Sequence, residues 1–392
     1  MLAAIPPRQP PRPRAADADE PAGDGPSDLR SRLEAAGIKV EATWYADWTR
    51  TLDGGLRPHD TTRRTFLDVD LTVDTDALLG VPGGKFRCEL WRIDGQSRRD
   101  GSGAIQDPSG LAAERRIELG QIWYEQKLER PQLRLRVGKF DPTYDFAVVE
   151  GGWDFLNSGV TYAPNLTGVP VYPDTAYGAE LFWDPDPALH VAVGVFDGAL
   201  QEGVPTGRRG PSSLFGAPAD LCVLGEVRTR WTAGPGELAG TAVVGGWHHN
   251  GTFRDLDGAR NDRTGGAYLV VEQQILRESP DDPDDAQGIA TFARTTVAER
   301  GVGDVRRHDG AGVVWRGLFD GRDDDTTGLA FLRADTDAAT RRRPETVVEL
   351  FHKFQLTPGI SITPDLQYVR HPFGAPGEDG ALVAGLRLVV VF

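Results

Sequence analysis

Hydrophobic and polar residues alternate along the chain from Gly37 to the last residue, Phe392. In residues 133–137, for example, leucine and valine occupy the odd positions and arginines lie between them. Successive side chains of a β-strand point to opposite faces, so this pattern predicts strands with one apolar and one polar face. Sixteen such strands are predicted, at residues 40–48, 67–73, 85–93, 117–127, 133–137, 178–184, 189–196, 220–231, 239–249, 265–274, 288–299, 310–319, 328–334, 346–357, 359–369 and 382–392.

The connections between the predicted strands alternate in length. Residues 94–116 and 140–177 are long connections, whereas residues 128–131 and 184–188 are short ones. Short turns at one rim and long loops at the other are typical of an antiparallel barrel that spans an outer membrane. An even number of strands places both ends of the chain at the rim of the short turns. A soluble β-sandwich or propeller, whose strands alternate in the same way, is the alternative.

Two further features favour the barrel. Aromatic residues such as Trp183 and Trp231 lie near predicted strand ends, as in the interfacial girdles of membrane barrels. The polar faces are densely charged, which a water-filled lumen allows and a dry core does not. The predicted fold is therefore all-β, a 16-stranded antiparallel transmembrane β-barrel with a short N-terminal helix. Pro364 falls inside a predicted strand, and we expect a β-bulge there.

The N-terminal segment differs from the rest of the chain. Residues 1–26 are rich in proline and lack periodicity, which predicts a disordered leader. Residues 27–37 read as a short helix, with Ser27 as N-cap and Gly37 at its end. Residues 38–392 form the predicted barrel.

Composition excludes some classes of function. The chain has 58 acidic and 43 basic residues and a net charge of −15, which argues against a nucleic-acid partner. The sequence contains no run of about 18 apolar residues, so no membrane-spanning helix is predicted. The only cysteines, Cys88 and Cys222, fall on opposite strand faces in the predicted register, so no disulfide is expected.

Patterns expected of an enzyme are absent from the sequence. There is no G-x-S-x-G nucleophile motif and no complete phosphate-binding loop. His248 and His249 are adjacent on a predicted strand, so their side chains point to opposite faces and do not chelate one metal together. We therefore expect no enzymatic activity, no cofactor and no metal site.

Several segments resemble the OprB-type carbohydrate-selective porin family. They are RVGKFDPTYDF from Arg136, FLNSGVTYAPNLTGVPVYPDTAYGAEL from Phe155, VGVFDG from Val193 and PDLQYVRHPFG from Pro364, with DLRSRLEAAGI before them and GLRLVVVF at the end. The resemblance implies an outer-membrane porin of a Gram-negative-type bacterium that lets small sugars diffuse passively. It also implies that residues 27–37 form a short periplasmic helix. Its expected partners are small sugars, outer-membrane lipid and lipopolysaccharide, and the barrel-assembly machinery, which would engage the C-terminal strand ending at Phe392.

Sugar selectivity requires a constriction lined by hydrogen-bonding and aromatic side chains. The polar faces of three neighbouring strands and the long connection 140–177, which we expect to fold into the barrel, supply such groups. The predicted constriction residues are Arg87, Glu89, Trp91, Arg134, Arg136, Asp141, Tyr144, Asp145, Trp153, Asp154 and Tyr162, with Glu118 or Gln121 between them on the wall.

Other interpretations stay open at this stage. The arginine pair Arg134 and Arg136 either donates to sugar hydroxyls or cancels nearby carboxylates across the wall. The barrel could also be a general or ion-conducting porin without sugar selectivity. A secreted soluble β-protein that binds carbohydrate is a third interpretation.

Overall fold

The alternating segments form antiparallel strands that close into a barrel. The structure is a computed structural model, and it describes residues 26–95, 100–129, 132–198, 220–234, 236–279, 285–373, 377 and 379–392. The helices are α1 Pro26–Ala35, α2 Thr75–Leu79 and α3 Ser158–Thr161, and short 3-10 helices span Pro142–Tyr144, Glu150–Gly152 and Ala338–Thr340.

Sixteen strands form the barrel, in agreement with the prediction. They are β1 Ile38–Gly54, β2 Thr61–Asp74, β3 Gly84–Asp94, β4 Arg116–Leu128, β5 Leu133–Phe140, β6 Ala176–Asp186, β7 Leu189–Asp197, β8 Leu221–Ala233, β9 Leu238–His249, β12 Thr264–Arg277, β13 Gly288–Ala298, β14 Val305–Arg316, β15 Thr326–Thr336, β16 Glu345–Thr357, β17 Ile360–Arg370 and β18 Gly380–Val391. The two remaining strands, β10 Phe253–Arg254 and β11 Arg260–Asn261, form a separate two-stranded sheet within the connection from β9 to β12.

Closure occurs between the first and last strands of the barrel. β1 pairs with β18 in antiparallel register, with Trp48 opposite Leu386 and Ala46 opposite Leu388. Because each of the sixteen barrel strands has two neighbours, the barrel has no edge strand.

The predicted faces agree with the structure. Leu135 is 46% exposed on the outer face of β5, whereas its neighbour Arg136 is 7% exposed and points into the barrel. On β2, Asp70 is buried inside and the flanking Val69 and Leu71 lie outside. The alternation of the sequence therefore separates lumen from lipid.

The N-terminal helix is present, but the leader lies outside the described residues. α1 begins at Pro26, one residue earlier than predicted, and ends at Ala35. Gly37 follows with a φ of 80°, which glycine adopts at little cost and which ends the helix. Of the predicted disordered leader, residues 1–26, all but Pro26 lie outside the described residues, and Pro26 begins α1. No helix in the described part of the chain has the length and apolarity needed to cross a membrane.

The predicted bulge at Pro364 is not found. Pro364 pairs with Leu386 of β18 in unbroken register. On the β16 side, pairing stops at Phe351 with Asp365 and resumes, in the same register, at Phe354 with Ile362. The missing N–H of proline therefore interrupts the ladder locally without shifting it.

A bulge occurs instead between β3 and β4. Glu89 is opposite Gln121, but Leu90 is opposite Leu119, so Gly120 is the extra residue. This insertion brings both Glu118 and Gln121 to the lumen, although strict alternation predicts only one of them there.

Candidate functional site

The connection between β5 and β6, residues 141–175, crosses the lumen, as the sequence predicts; we call it the constriction loop. Glu349 of β16 accepts hydrogen bonds from the backbone N–H groups of Leu156 and Asn157, at 2.6 and 3.1 Å. Glu226 of β8 accepts from the N–H of Ala147 at 3.1 Å. In the strand order, β8 lies three strands from β5, and β16 lies seven strands away in the other direction, so the loop spans the interior and narrows it.

Cations of the wall hold the same loop by ion pairs. Arg136 of β5 contacts Asp145 at 2.6 Å, and Lys353 of β16 contacts Asp154 at 2.8 Å. Other wall contacts join Arg228 to Glu150 at 3.2 Å and Arg387 to the carbonyl of Phe155 at 3.3 Å. The loop is therefore held from several sides of the barrel.

A second loop also enters the lumen, which sequence reasoning missed. This loop is the connection from β3 to β4. The backbone N–H groups of its residues Ile105 and Gln106 donate to Glu345 of β16, at 2.9 Å each. Arg64 of β2 pairs with Asp107 at 3.0 Å. The length of residues 94–116 was the available signal, but length alone does not reveal where a loop packs.

A continuous polar network covers the wall from β2 to β4. Arg87 contacts Asp70 at 2.8 Å and also pairs with Glu89. Glu89 accepts from Gln121 at 2.8 Å and from the indole N–H of Trp91 at 3.2 Å. Three of the predicted residues are thus brought together, and both charges of the arginine–glutamate pair are compensated.

The arginine pair on β5 is fully engaged with carboxylates. Arg136 contacts Glu125 at 3.0 Å and Glu180 at 3.1 Å, in addition to Asp145. Arg134 also contacts Glu125, at 2.8 Å, and its guanidinium lies 3.8 Å from the centre of the Phe182 ring. Cancellation of charge across the wall, one of the two interpretations of this pair, therefore occurs in the structure.

Three predicted residues serve local packing. Trp91 is 1% exposed and packs against Phe66 and Tyr172. Asp141 is 2% exposed and accepts from the N–H groups of Thr143 and Tyr172 at 2.8 and 2.7 Å. Burial raises the pKa of Asp141 to about 6, although these hydrogen bonds act in the opposite direction. Tyr162 donates to the carbonyl of Leu166 at 3.2 Å.

The constriction loop carries a stacked aromatic pair. Tyr144 and Trp153 lie 6.0 Å apart between ring centres, at 14° to each other, and Tyr144 is 36% exposed. In sequence, each ring is followed directly by one of the two ion-paired acids, Asp145 and Asp154. Aromatic faces next to hydrogen-bonding groups suit sugars, which present C–H faces and hydroxyls. Lys353 was missing from the predicted set, because only the folded loop brings Asp154 next to it.

Within the described ranges, the structure contains no group of three or more histidine, cysteine or acidic side chains placed to hold a metal ion. Cys88 and Cys222 are both unpaired. Cys222 is buried on the inner side of β8, and Cys88 lies on the outer face of β3, as predicted.

Comparison with known proteins identifies the family. The model of the carbohydrate-selective porin, OprB family matches residues 59–392. This chain belongs to that family. It is 23% identical to Porin B of Pseudomonas aeruginosa, over 93% of this chain and 89% of that protein.

Solved structures agree with the fold. The high-pH structure of OprB from Pseudomonas putida has a TM-score of 0.82 at 19% identity and covers 93% of this chain and 97% of its own. The low-pH structure of the same protein has a TM-score of 0.64 at 18% identity, over 93% and 96%. As an OprB-family member with a closed 16-stranded barrel, the chain is a porin of a Gram-negative outer membrane, and passive, carbohydrate-selective diffusion is its function.

Proposed function

We propose that small sugars cross this barrel by contacting the stacked pair Tyr144 and Trp153 on the constriction loop. The observation that carries the proposal is the position of this pair, with an ion-paired acid directly after each ring. A sugar ring can place its C–H face on Trp153 while its hydroxyls exchange hydrogen bonds with Asp145 and Asp154.

The charge balance of the wall supports an uncharged solute. Arg134 and Arg136 share Glu125, and Arg136 also pairs with Asp145 and Glu180. An anion channel would need cations whose charge is not compensated in this way. The wall instead offers closely spaced donors and acceptors of nearly balanced charge, as neutral hydroxyl groups require.

Among the sequence-predicted residues, we assign sugar contact to those at the loop and the adjoining wall: Arg87, Glu89, Arg134, Arg136, Tyr144, Asp145, Trp153 and Asp154. The buried Trp91 and Asp141, together with Tyr162, would act by holding the wall and the loop in position. Passage requires weak binding, because a site that retained sugar would block its own channel. An affinity in the millimolar range, about −4 kcal/mol, is the appropriate scale.

Further parts of the proposal concern partners and chemistry. The barrel would transport without catalysis and would contact outer-membrane lipid and lipopolysaccharide along its outer face. The C-terminal strand β18, which pairs with β1 and is followed by Phe392, would be the segment that the barrel-assembly machinery engages.

Planar-bilayer conductance with sugars added as blockers tests the proposal. Trp153→Ala should weaken block by sugar about five- to tenfold and raise the ion conductance, because the ring offers both stacking area and bulk. Trp183→Ala is the matched control, since Trp183 lies on the outer face of β6 and is 45% exposed there. Unchanged sugar block in Trp153→Ala, with higher conductance, would show that the ring sets only the width of the channel.

A further inference from the structure

Three arginines lie on the outer face of the barrel near the rim of the long loops. Arg50, Arg63 and Arg92 are exposed, on β1, β2 and β3. The residues on either side of each of them in sequence are buried inside the barrel. Because alternate side chains of a strand point to opposite faces, the three guanidinium groups point outward, toward the membrane. We call them the arginine row.

Strand pairing fixes the spacing of the row. Arg50 is opposite Thr61, and Arg63 is opposite Trp48, so these two arginines lie on neighbouring strands with an offset of two residues. Strand rise and spacing then give about 8 Å between their Cα atoms. Arg92 is opposite Leu67, four residues from Arg63, at about 14 Å. The row therefore extends across three adjacent strands and can contact more than one anionic group of the same ligand.

The row lacks the carboxylate partners that other outward arginines have. On β14 and β15, Arg307 pairs with Asp309 at 2.8 Å and Arg333 with Asp335 at 2.7 Å. Within the part of the chain that the structure describes, no ion pair joins the arginine row to an acidic side chain. Arg50 has a 3.5 Å contact with the hydroxyl of Thr61, and the nearby Asp94 is paired with Arg115 at 3.7 Å.

Apolar side chains continue the same face toward the middle of the membrane. Leu90 is 52% exposed and lies two residues deeper than Arg92 on β3, and Ile117, directly opposite Arg92 on β4, is 78% exposed. Trp48 and Leu67 extend this surface on β1 and β2. The outer face is thus basic at the rim and apolar below it, which matches a lipid with an anionic headgroup.

Resting on the lipopolysaccharide contact of the proposed function, we propose that the arginine row binds the phosphate groups of lipopolysaccharide in the outer leaflet, with acyl chains lying against Leu90 and Ile117. The rim of the long loops faces the cell exterior in an outer-membrane barrel whose ends both lie at the opposite rim. The planar donor fork of arginine suits bidentate contact with phosphate. Free phosphate has no apolar part that could contact Leu90 and Ile117, so a glycolipid is the ligand that fits the whole site.

Binding of purified lipopolysaccharide to the detergent-solubilised barrel tests the proposal, with native mass spectrometry or a thermal-shift titration as the measurement. The double variant Arg50→Gln with Arg63→Gln should bind about 25-fold more weakly, at about fivefold per arginine, and Arg92→Gln should add a similar loss. Dephosphorylated lipopolysaccharide should bind wild type as weakly as the triple variant does. Sugar block in bilayers should stay at the wild-type level, because the row does not face the lumen.

The double variant Arg307→Gln with Arg333→Gln is the matched control, since it removes two outward arginines that already have acidic partners. It should bind lipopolysaccharide nearly as wild type does. An equal loss in both double variants would overturn the proposal in favour of general attraction to a basic rim. Stabilisation of the barrel by inorganic phosphate alone, equal to that by the glycolipid, would overturn it as well.

Discussion

At the scale of single residues, Arg136 shows how a charged side chain is accommodated inside the barrel. Its guanidinium contacts three carboxylates, and one of them, Glu180, has a fully buried side chain. Removing one partner of a buried ion pair leaves a buried charge without compensation, which is far more costly than losing an exposed pair.

We therefore expect Arg136→Gln to destabilise the barrel by about 3–5 kcal/mol. Arg134→Gln is the control and should cost much less, because Glu125 keeps its contact with Arg136 at 3.0 Å. Chemical unfolding in lipid vesicles measures both free energies of unfolding. Equal costs for the two variants would mean that Glu180 is not held by Arg136.

The outer face of the same strand gives a second expectation. Leu135 faces lipid, so Leu135→Arg places a charge in the bilayer and should lower the free energy of unfolding; such a charge costs about 2–4 kcal/mol at the midplane and less toward the interface. Arg134→Gln, at the preceding lumen-facing position, serves again as the control. If Leu135→Arg unfolds at the same denaturant concentration as wild type, the position contacts water rather than lipid.

At the scale of elements, the constriction loop depends on acidic side chains of distant strands. Oε1 of Glu349 accepts from the backbone N–H groups of Leu156 and Asn157, and Oε2 also accepts from that of Asn157, at 3.3 Å. A carboxylate accepts with both oxygens, whereas an amide has one acceptor and presents donors on its other side. The anchor of the loop therefore depends on the chemistry of one residue on β16.

Glu349→Gln should consequently loosen the loop and produce larger current fluctuations in single-channel recordings. The loop should also become sensitive to added protease. Glu299→Gln is a suitable control, because Glu299 pairs with the exposed Arg263 at the rim and does not touch the constriction loop. If Glu349→Gln channels show wild-type current fluctuations and resist protease, the remaining wall contacts are sufficient to hold the constriction loop.

At the scale of the whole molecule, the barrel depends on closure between β1 and β18. Deleting residues 380–392 removes the last strand and leaves the backbone groups of two edges unpaired in lipid, at several kcal/mol for each group. We expect no assembled barrel, measured as loss of the difference in gel mobility between heated and unheated samples. Deleting residues 1–25 should preserve that difference, since every barrel strand begins at or after Ile38. A heat-modifiable protein without β18 would contradict closure at this strand.

The sequence by itself determined the strands, their number and the side to which each side chain points. Alternation is a local property: the neighbours of Leu135 in the sequence already place it on the face opposite Arg136. The length of residues 140–177 likewise predicted a loop that folds into the barrel. Local pattern failed where a single inserted residue changed the register, at Gly120, and where Pro364 was accommodated without a bulge.

Only the tertiary structure decided which lumen groups meet. Glu345 accepts from Gln106, and Glu349 from Leu156, although 239 and 193 residues separate the partners in the chain. Such contacts depend on barrel closure and on the path of each loop across the interior. Neither of these features produces a periodic pattern in the sequence. For the same reason Trp91 and Asp141, which have the chemistry of a sugar site, are buried in packing, while Tyr144 becomes the exposed partner of Trp153.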